Sequence, residues 1–493
     1  MAGVKSLVKD TAIYGLSSII GRFLNWCLVP LYTIMFPAEE YGIVTYLYSF
    51  VALALITLTY GLETGFFRFV NHENEKDPMR VYTTSLISLA TTSMLFIVLI
   101  WLFRAPVAAA LNMQDYIDYI VIMAVTVAID AFTAIPFAYL RYKNRPVRFA
   151  TIRLVNIGIN IGLNLFFILL CPKLMETAPD TVSWFYNPNY GIGYIFLSNL
   201  VSSVVTMLML LPELTGTKYK FNGNLLKRML RYSFPLLILG IAGIMNQTID
   251  KILLPELIAD KSEALSAVGI YGANYKIAIV MVMFIQAFRF AYEPFIFSQN
   301  KEKCGDKTKA YSDAMKYFII FSLVIFIGVM YYMPILKYFI APSYFSGLKV
   351  VPIIMLAELF FGIFFNLSLW YKLTDQTQWG MYFSLLGLAV TVILNVVLVP
   401  QIGYMGCAVA AFVCYFTMMA ASYIIGRKKY PIEYDVKNAA FYTLVTAVLY
   451  AAGMYTPIDN EWLLIGFRTV LFVAFISLIL KREPIPIPGR KRA

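Results

Sequence analysis

The chain has 493 residues, of which 60% are hydrophobic and 14% are charged, and its mean hydropathy is +0.72. Soluble proteins carry about 25% charged residues, so this composition excludes a water-soluble globular protein and indicates a membrane protein. The formal net charge of +12 would suit nucleic-acid binding, but the basic residues fall in short gaps between long apolar runs. We therefore expect this charge to reflect membrane topology, and no nucleic-acid partner.

Apolar runs of about 20 residues are long enough to cross a bilayer as helices, and the chain contains fourteen of them. They are too long and too uniformly apolar for the alternating strands of a membrane barrel. The predicted spans are 11–35, 41–62, 81–103, 115–140, 150–171, 191–211, 232–255, 268–290, 313–338, 349–371, 380–399, 405–426, 439–456 and 462–480.

The gaps between these spans differ sharply in their content of lysine and arginine. With the N-terminus inside, the inner gaps hold 28 basic residues and the outer gaps hold three, Arg104, Lys173 and Lys261. Inner loops are enriched in lysine and arginine, so this bias predicts that both termini are cytoplasmic. The first run is too long for the apolar part of a signal peptide, and we expect it to be a retained span.

Short motifs recur roughly half a chain apart, which is typical of the internal repeats of transporters. The matched pairs are Pro30 with Pro255, Tyr41-Gly42 with Tyr271-Gly272, and Leu163-Asn164 with Leu394-Asn395. They predict two six-helix lobes, residues 1–231 and 232–430, followed by two appended helices in 431–493. An even number of helices in each lobe makes the repeats parallel. We therefore expect an all-α polytopic membrane protein with two parallel lobes around a central cavity.

Several motifs carry a resemblance to a known group of transporters. In the first half they are Tyr14-Gly15, Ser17-Ser18, Arg22, Val29-Pro30-Leu31-Tyr32, Pro37-Ala38-Glu39-Glu40-Tyr41-Gly42, Gly61-Leu62-Glu63-Thr64 and Phe67-Arg68-Phe69. In the second half they are Ser233-Phe234-Pro235, Asp250-Lys251, Val268-Gly269-Ile270-Tyr271, Tyr275-Lys276 and Gly403-Tyr404-Met405-Gly406-Cys407-Ala408. On these motifs the chain resembles the polysaccharide repeat-unit flippases of the multidrug/oligosaccharidyl-lipid/polysaccharide exporter superfamily.

The resemblance implies transfer of an undecaprenyl-diphosphate-linked oligosaccharide across the bacterial cytoplasmic membrane. It implies membrane lipid, a polymerase and glycosyltransferases as partners, and we expect the transporter itself to be a monomer. In the related lipid II flippases, the last two helices help to form a groove for the lipid tail. Arginines on their first helix face the cavity, and Arg22 is the matching position here.

Charged side chains inside a span cost about 2.5–3.5 kcal/mol and usually face a cavity or a partner. Arg22 lies near the middle of the first predicted span, with Asn25 one turn along it. A guanidinium is well suited to bind a diphosphate, so Arg22 is a candidate substrate ligand. The alternative is a structural ion pair with Asp130 or Glu63.

The second half offers further intramembrane charges. Lys251 and Lys276 are candidate phosphate ligands, and Asp250 is a candidate proton or cation site. Adjacent residues point about 100° apart on a helix, so Asp250 and Lys251 are not expected to face one neighbour in the same way. The alternative is a structural pair between Asp250 and Lys276. Glu358 is a further candidate for the cavity, and Asp130 and Glu63 complete the set of possible coupling residues.

Several absences narrow the function. The chain has one histidine, no Cys-x-x-Cys spacing and no P-loop motif, so we expect no metal site, no cofactor and no ATP hydrolysis. No gap is long enough for an extramembrane catalytic domain. We therefore expect a transporter, with an ion-coupled multidrug exporter of the same superfamily as the first alternative. A membrane-embedded polysaccharide transferase or polymerase is the second, but no convergent cluster of catalytic groups is present in the sequence.

Overall fold

The computed structural model describes residues 19–71, 77–215, 219–301 and 307–483, apart from the side chains of 291, 293–301 and 307. Within these residues the regular elements are all helices. The principal ones are α1 (Ile19–Met35), α2 (Ala38–Val70), α3 (Pro78–Leu102), α4 (Gln114–Tyr142), α5 (Pro146–Thr177), α6 (Gly193–Met209), α7 (Gly223–Leu257), α8 (Lys261–Lys301), α9 (Lys307–Tyr331), α10 (Pro342–Leu373), α11 (Gln378–Ile402), α12 (Tyr404–Lys429), α13 (Val436–Tyr455) and α14 (Glu461–Arg482).

A helix coincides with each of the fourteen predicted spans, although residues 11–18 of the first lie outside the described residues. Eleven of these helices are long and apolar enough to cross a membrane, namely α2 to α5, α7 to α12, and α14. α1 and α6 are shorter apolar helices, and α13 has 20 residues. The chain is therefore a multi-pass helical membrane protein, as predicted, while the count of fourteen spans stays a prediction.

Several of the described helices are interrupted, among them α1, α2 and α5. α1 turns at residues 27–28, just before Pro30, which lacks an N–H for the helical ladder. α2 breaks at Tyr60 and Gly61, whose φ angles of 33° and 71° are left-handed. The Tyr60 hydroxyl lies 2.6 Å from the Ser88 hydroxyl of α3, which holds this break against its neighbour. In α5 a π-helical turn at Phe166–Leu170 precedes Pro172, which lies inside this helix.

The helices form two compact units. Unit 1 comprises Met1–Ala273 and Gln378–Ala410, and unit 2 comprises Asn274–Thr377 and Ala411–Ala493. The boundaries fall inside α8 and α12, so each of these helices contributes to both units. The division of the sequence at 231 and 430, which the repeats predict, stays a prediction.

Glycines allow α2 and α8 to pack closely in unit 1. A Cβ atom on Gly42 would overlap the carbonyl oxygen of Leu265, and one on Gly269 would overlap that of Ala38. Gly272, the repeat counterpart of Gly42, lies one turn beyond Gly269 on the same face of α8. Small residues let helix backbones approach closely in a membrane. The repeated Tyr-Gly motif therefore marks a helix crossing.

In unit 2, α9 packs against α10, α13 and α14. Arg468 of α14 is 6% exposed, and its guanidinium donates to the carbonyl oxygens of Gly453 at 2.9 Å and Tyr331 at 3.3 Å. At another point, Lys316 of α9 lies 2.9 Å from the carboxylate of Glu483, just beyond the end of α14. The last two helices of the chain are thus held to α9 by polar contacts as well as by packing.

Candidate functional site

Arg22 lies on α1 with an exposed side chain, although the helix is apolar. A Cβ atom on its neighbour Gly21 would lie 2.6 Å from Cδ1 of Ile157, so α1 packs against α5 at this level. Asn25, three residues further along α1, is also exposed. Residues three apart share a helix face, so Arg22 and Asn25 offer a cation and an amide to the same surroundings.

The two carboxylates considered as structural partners of Arg22 have contacts elsewhere in unit 1. Asp130 of α4 accepts a hydrogen bond of 2.8 Å from the Ser203 hydroxyl of α6. Glu63 of α2 forms an ion pair with Arg141 at the end of α4. In the ranges that the structure describes, neither carboxylate pairs with Arg22. The structural ion pair with Asp130 or Glu63 is thus not seen in these residues, and the role of Arg22 as a substrate ligand stays a prediction.

Arg153 of α5 is an exposed arginine that is absent from the predicted site. Its guanidinium lies 4.1 Å from the ring centre of Phe137 and attracts the carboxylates of Asp130 and Glu63 electrostatically. Ile157, which touches α1 beside Arg22, is one turn from Arg153 on the same helix. Arg153 lies inside the predicted span 150–171. The free-energy cost of placing a charged side chain inside a membrane span, from which Arg22 was selected, therefore applies to Arg153 as well. That argument was the signal in the sequence that would have found it.

Lys251 does not present a free ammonium. Its Nζ atom lies 2.9 Å from Oδ1 of Asp250 and donates to the carbonyl oxygen of Gln247 at 2.9 Å. The two residues are adjacent on α7, and the long lysine stem folds back onto the carboxylate. Asp250 is 4% exposed and accepts a further hydrogen bond of 2.7 Å from the Tyr271 hydroxyl. Asp250, Lys251 and Tyr271 therefore form a buried, internally neutralised group in unit 1.

Two predicted site residues, Lys276 and Glu358, belong to unit 2. Lys276 on α8 is half-buried. Glu358 on α10 is 4% exposed, and its Oε1 atom accepts a hydrogen bond of 2.5 Å from the hydroxyl of Tyr275. The structure therefore places the carboxylate of Glu358 beside the tyrosine that precedes Lys276. Whether these residues line a cavity stays a prediction.

Protein metal sites are built from several convergent His, Cys, Asp or Glu side chains. Across the described ranges, no group of three or more His, Cys, Asp or Glu side chains is arranged to hold a metal ion. The site residues of unit 1 described above are two exposed arginines, the carboxylates of Asp130 and Glu63, which each have a partner, and the paired Asp250 and Lys251.

The sequence matches the family model described as "Polysaccharide biosynthesis protein" over residues 7–300. The chain belongs to this family. In a comparison with curated proteins, none matches it. The family, the helical fold and the apolar spans together confirm the predicted resemblance and the predicted all-α polytopic membrane fold.

Solved structures show the same fold. One is described as the lipid II flippase MurJ in an inward closed conformation, with a TM-score of 0.73, 14% identity, and coverage of 96% of this chain and 99% of that one. Another is an inward-facing multidrug resistance MATE family transporter of the MOP superfamily, with a TM-score of 0.65, 15% identity, and coverage of 85% and 97%. An outward-facing MATE transporter has a TM-score of 0.59, 14% identity, and coverage of 85% and 95%. At these identities the likeness is one of fold alone.

Proposed function

We propose that this protein moves an undecaprenyl-diphosphate-linked oligosaccharide from the inner to the outer leaflet of a bacterial cytoplasmic membrane by alternating access. Membership of a polysaccharide biosynthesis family supports the oligosaccharide cargo, and a fold shared with a lipid flippase supports transport of a lipid-linked molecule. The observation that carries the proposal is Arg22, an exposed arginine within an apolar helix and without an ion pair to Asp130 or Glu63 in the described ranges.

The diphosphate of the cargo is the group that such an arginine recognises. Guanidinium groups bind phosphate oxygens through charge-assisted, bidentate hydrogen bonds. We assign this role to Arg22 and Arg153, which lie on the neighbouring helices α1 and α5. Lys276 remains a further candidate ligand. Lys251 is reassigned to a structural role, because its ammonium neutralises Asp250.

The other parts of the proposal follow from the charge pattern and the family. Both termini are cytoplasmic, since the inner gaps carry nearly all the basic residues outside the spans. The polymerase and glycosyltransferases that use and supply the cargo are its functional partners. The transporter acts as a monomer, without a cofactor and without enzymatic chemistry of its own.

An ion-coupled multidrug exporter is the second candidate, because the MATE transporters share the fold. A cationic drug would require an anionic site. In unit 1, however, Asp250 is neutralised by Lys251, and the positive charge that acts on Asp130 is the exposed guanidinium of Arg153. This balance favours an anionic cargo over a cationic one.

The test is to deplete the protein in its host, supply labelled sugar, and quantify the completed lipid-linked oligosaccharide in the inner leaflet. The flippase proposal predicts that the completed unit accumulates, because its synthesis continues while translocation stops. Failure to make the unit would point to a transferase or polymerase. An unchanged pool, together with sensitivity to cationic drugs, would favour the exporter.

Complementation then assigns the residues. In cells that carry only Arg22→Ala or Arg153→Gln, the lipid-linked oligosaccharide is expected to accumulate as it does in depleted cells. The control is Arg104→Ala, which should support normal transport because Arg104 is an exposed arginine outside the predicted spans. Membrane abundance of each variant is measured in parallel. Normal surface polysaccharide in cells carrying only Arg22→Ala would contradict the assigned role of Arg22.

A further inference from the structure

An open groove lies where α4 turns into α5, beside the end of α6 in unit 1. Its volume is about 650 Å³, and its lining includes Asn144, Arg145, Val147, Arg148, Thr151 and Met209. The groove adjoins the ends of two apolar helices, Gln114–Tyr142 and Pro146–Thr177. It therefore lies at the level where a membrane passes from acyl chains to headgroups.

The polar side of the groove carries two arginines organised by one buried carboxylate. The Glu213 side chain is 4% exposed and lies 3.0 Å from Nη2 of Arg148 and 4.0 Å from Nη1 of Arg145. One carboxylate between two guanidiniums leaves a net positive charge. The Arg145 and Arg148 side chains are 58% and 35% exposed, so both remain accessible to a ligand.

The backbone around these arginines is held in place. Asn144 adopts a left-handed conformation with φ of 49°, and the N–H of Arg145 donates to the carbonyl oxygen of Leu140 at 3.0 Å. These contacts end α4 and set the direction of α5. On the other side, the hydroxyl of Tyr82 donates to the backbone carbonyl of Glu213 at 3.0 Å. The groove is therefore formed before any ligand arrives.

The remaining side of the groove is apolar. Val147 is 69% exposed, and Met209 lies at the end of α6. An apolar wall next to a pair of arginines, both at the end of membrane spans, matches a molecule with an anionic head and a hydrocarbon chain. In the predicted orientation this loop is cytoplasmic, and basic pockets between helices on that side bind anionic headgroups.

We propose that this groove binds an anionic phospholipid of the inner leaflet. The phosphate contacts Arg145 and Arg148, and the first part of an acyl chain lies over Val147 and Met209. Neither Arg22 nor Arg153, the arginines assigned to the transported diphosphate, lines this groove. Its occupation by a membrane lipid would hold the α4–α5 turn at the membrane surface.

Detergent-purified full-length protein is incubated with equimolar phosphatidylglycerol and phosphatidylcholine, and the retained lipid is counted by native mass spectrometry. The wild-type protein is expected to retain phosphatidylglycerol preferentially. Arg145→Gln should weaken this retention on the order of fivefold, the factor that corresponds to one interfacial cation. This variant leaves the Arg148–Glu213 pair intact, so its folding is not at risk from an orphaned carboxylate.

The matched control is Lys227→Gln with Arg231→Gln, which removes two exposed cations of α7 outside the groove. It should retain phosphatidylglycerol as the wild-type protein does. A second test variant, Arg148→Gln with Glu213→Gln, removes the whole pair but keeps the net positive charge of the groove, so it should weaken retention less than Arg145→Gln does.

Three results would overturn the proposal. The first is a wild-type protein without preference for the anionic lipid. The second is a control that loses as much lipid as the groove variants, which would indicate a general surface effect. The third is complete loss of retention in excess inorganic phosphate, which would indicate a site for free anions. Retention of phosphatidylglycerol in excess phosphate, lost only in the groove variants, supports a lipid site.

Discussion

Arg468 in unit 2 and Arg22 in unit 1 are both arginines within apolar helices, yet their surroundings differ. Arg468 is 6% exposed and donates to backbone carbonyls near the ends of α9 and α13. Helix C-termini carry a partial negative charge and unpaired carbonyls, so they can hold a cation without a carboxylate. Arg22 is exposed and has no such arrangement in the described ranges. The same residue type is structural in one place and available to a ligand in the other.

The largest expected effect is at the structural arginine. Arg468→Ala should lower the free energy of unfolding by about 4 kcal/mol, because it leaves buried carbonyls unpaired and opens a cavity. Transport per folded molecule should change little. Unfolding in detergent, followed by intrinsic fluorescence, measures the loss. A variant as stable as the wild-type protein would mean that Arg468 is not needed to join α9, α13 and α14.

Substitution of Lys251 tests whether its ammonium stabilises the fold of unit 1, as the guanidinium of Arg468 is expected to stabilise unit 2. Lys251→Met should cost about 3 kcal/mol of stability, because it leaves the buried Asp250 carboxylate without its cation. Asp250→Asn with Lys251→Met should recover most of that loss, since it removes both charges. The same unfolding assay on both variants and on Asp250→Asn completes the cycle. Additive losses would show that the two side chains act independently.

Arg22 should show the opposite pattern. Arg22→Ala is expected to reduce transport roughly 30-fold, the value for losing about 2 kcal/mol of charge-assisted hydrogen bonding to phosphate. Its unfolding should match that of the wild-type protein, because the side chain is exposed. Arg22→Lys should retain part of the activity, since it keeps the charge without the planar fork. Loss of stability in Arg22→Ala would place Arg22 with Arg468 as a structural residue.

The smallest effect concerns the start of α13, outside the apolar spans. Burial alone would raise the pKa of Asp435, but hydrogen bonds from Asn438 and the charges of Lys316 and Arg482 outweigh it and hold the pKa below its ordinary value. Asp435 therefore stabilises the protein above the ordinary aspartate pKa of about 3.9, and this contribution disappears as the pH falls below that value.

Asp435→Ala should cost about 1 kcal/mol at neutral pH, because the carboxylate caps the helix through the N–H of Asn438. The difference between the variant and the wild-type protein should shrink when unfolding is repeated at acidic pH. A difference that stays constant with pH would indicate that the ionised carboxylate is not the source of the stabilisation.

The positions of the helices could be predicted because hydropathy is a property of consecutive residues. The spans 81–103 and 380–399 correspond closely to Pro78–Leu102 and Gln378–Ile402. The repeated Tyr-Gly motif could also be found from consecutive residues alone. In the structure it marks the place where Gly42 and Gly269 let α2 and α8 touch. The break of α2 at Tyr60 was not predicted, since a tyrosine at positive φ has no sequence signal of its own.

The site was predicted less completely. Arg22 could be selected from the cost of burying a charge, but the same cost applied to Arg153, Lys251 and Arg468. Lys251 was assigned to phosphate although its stem returns to Asp250. Arg153 carried the same sequence signal but was left out of the predicted site, and only the structure shows that its helix packs beside α1 at Ile157.

By itself, the sequence determined that this is a multi-pass helical membrane protein and where its helices run. It also determined which residues carry charge into apolar helices. Only the tertiary structure decided which partner each of these charged groups has, since many partners come from elsewhere in the fold: helix ends for Arg468, Arg141 for Glu63, and Ser203 for Asp130. The physical reason is that the hydropathy of a span is set by consecutive residues, whereas an electrostatic partner is set by distance in space and can lie anywhere in the sequence.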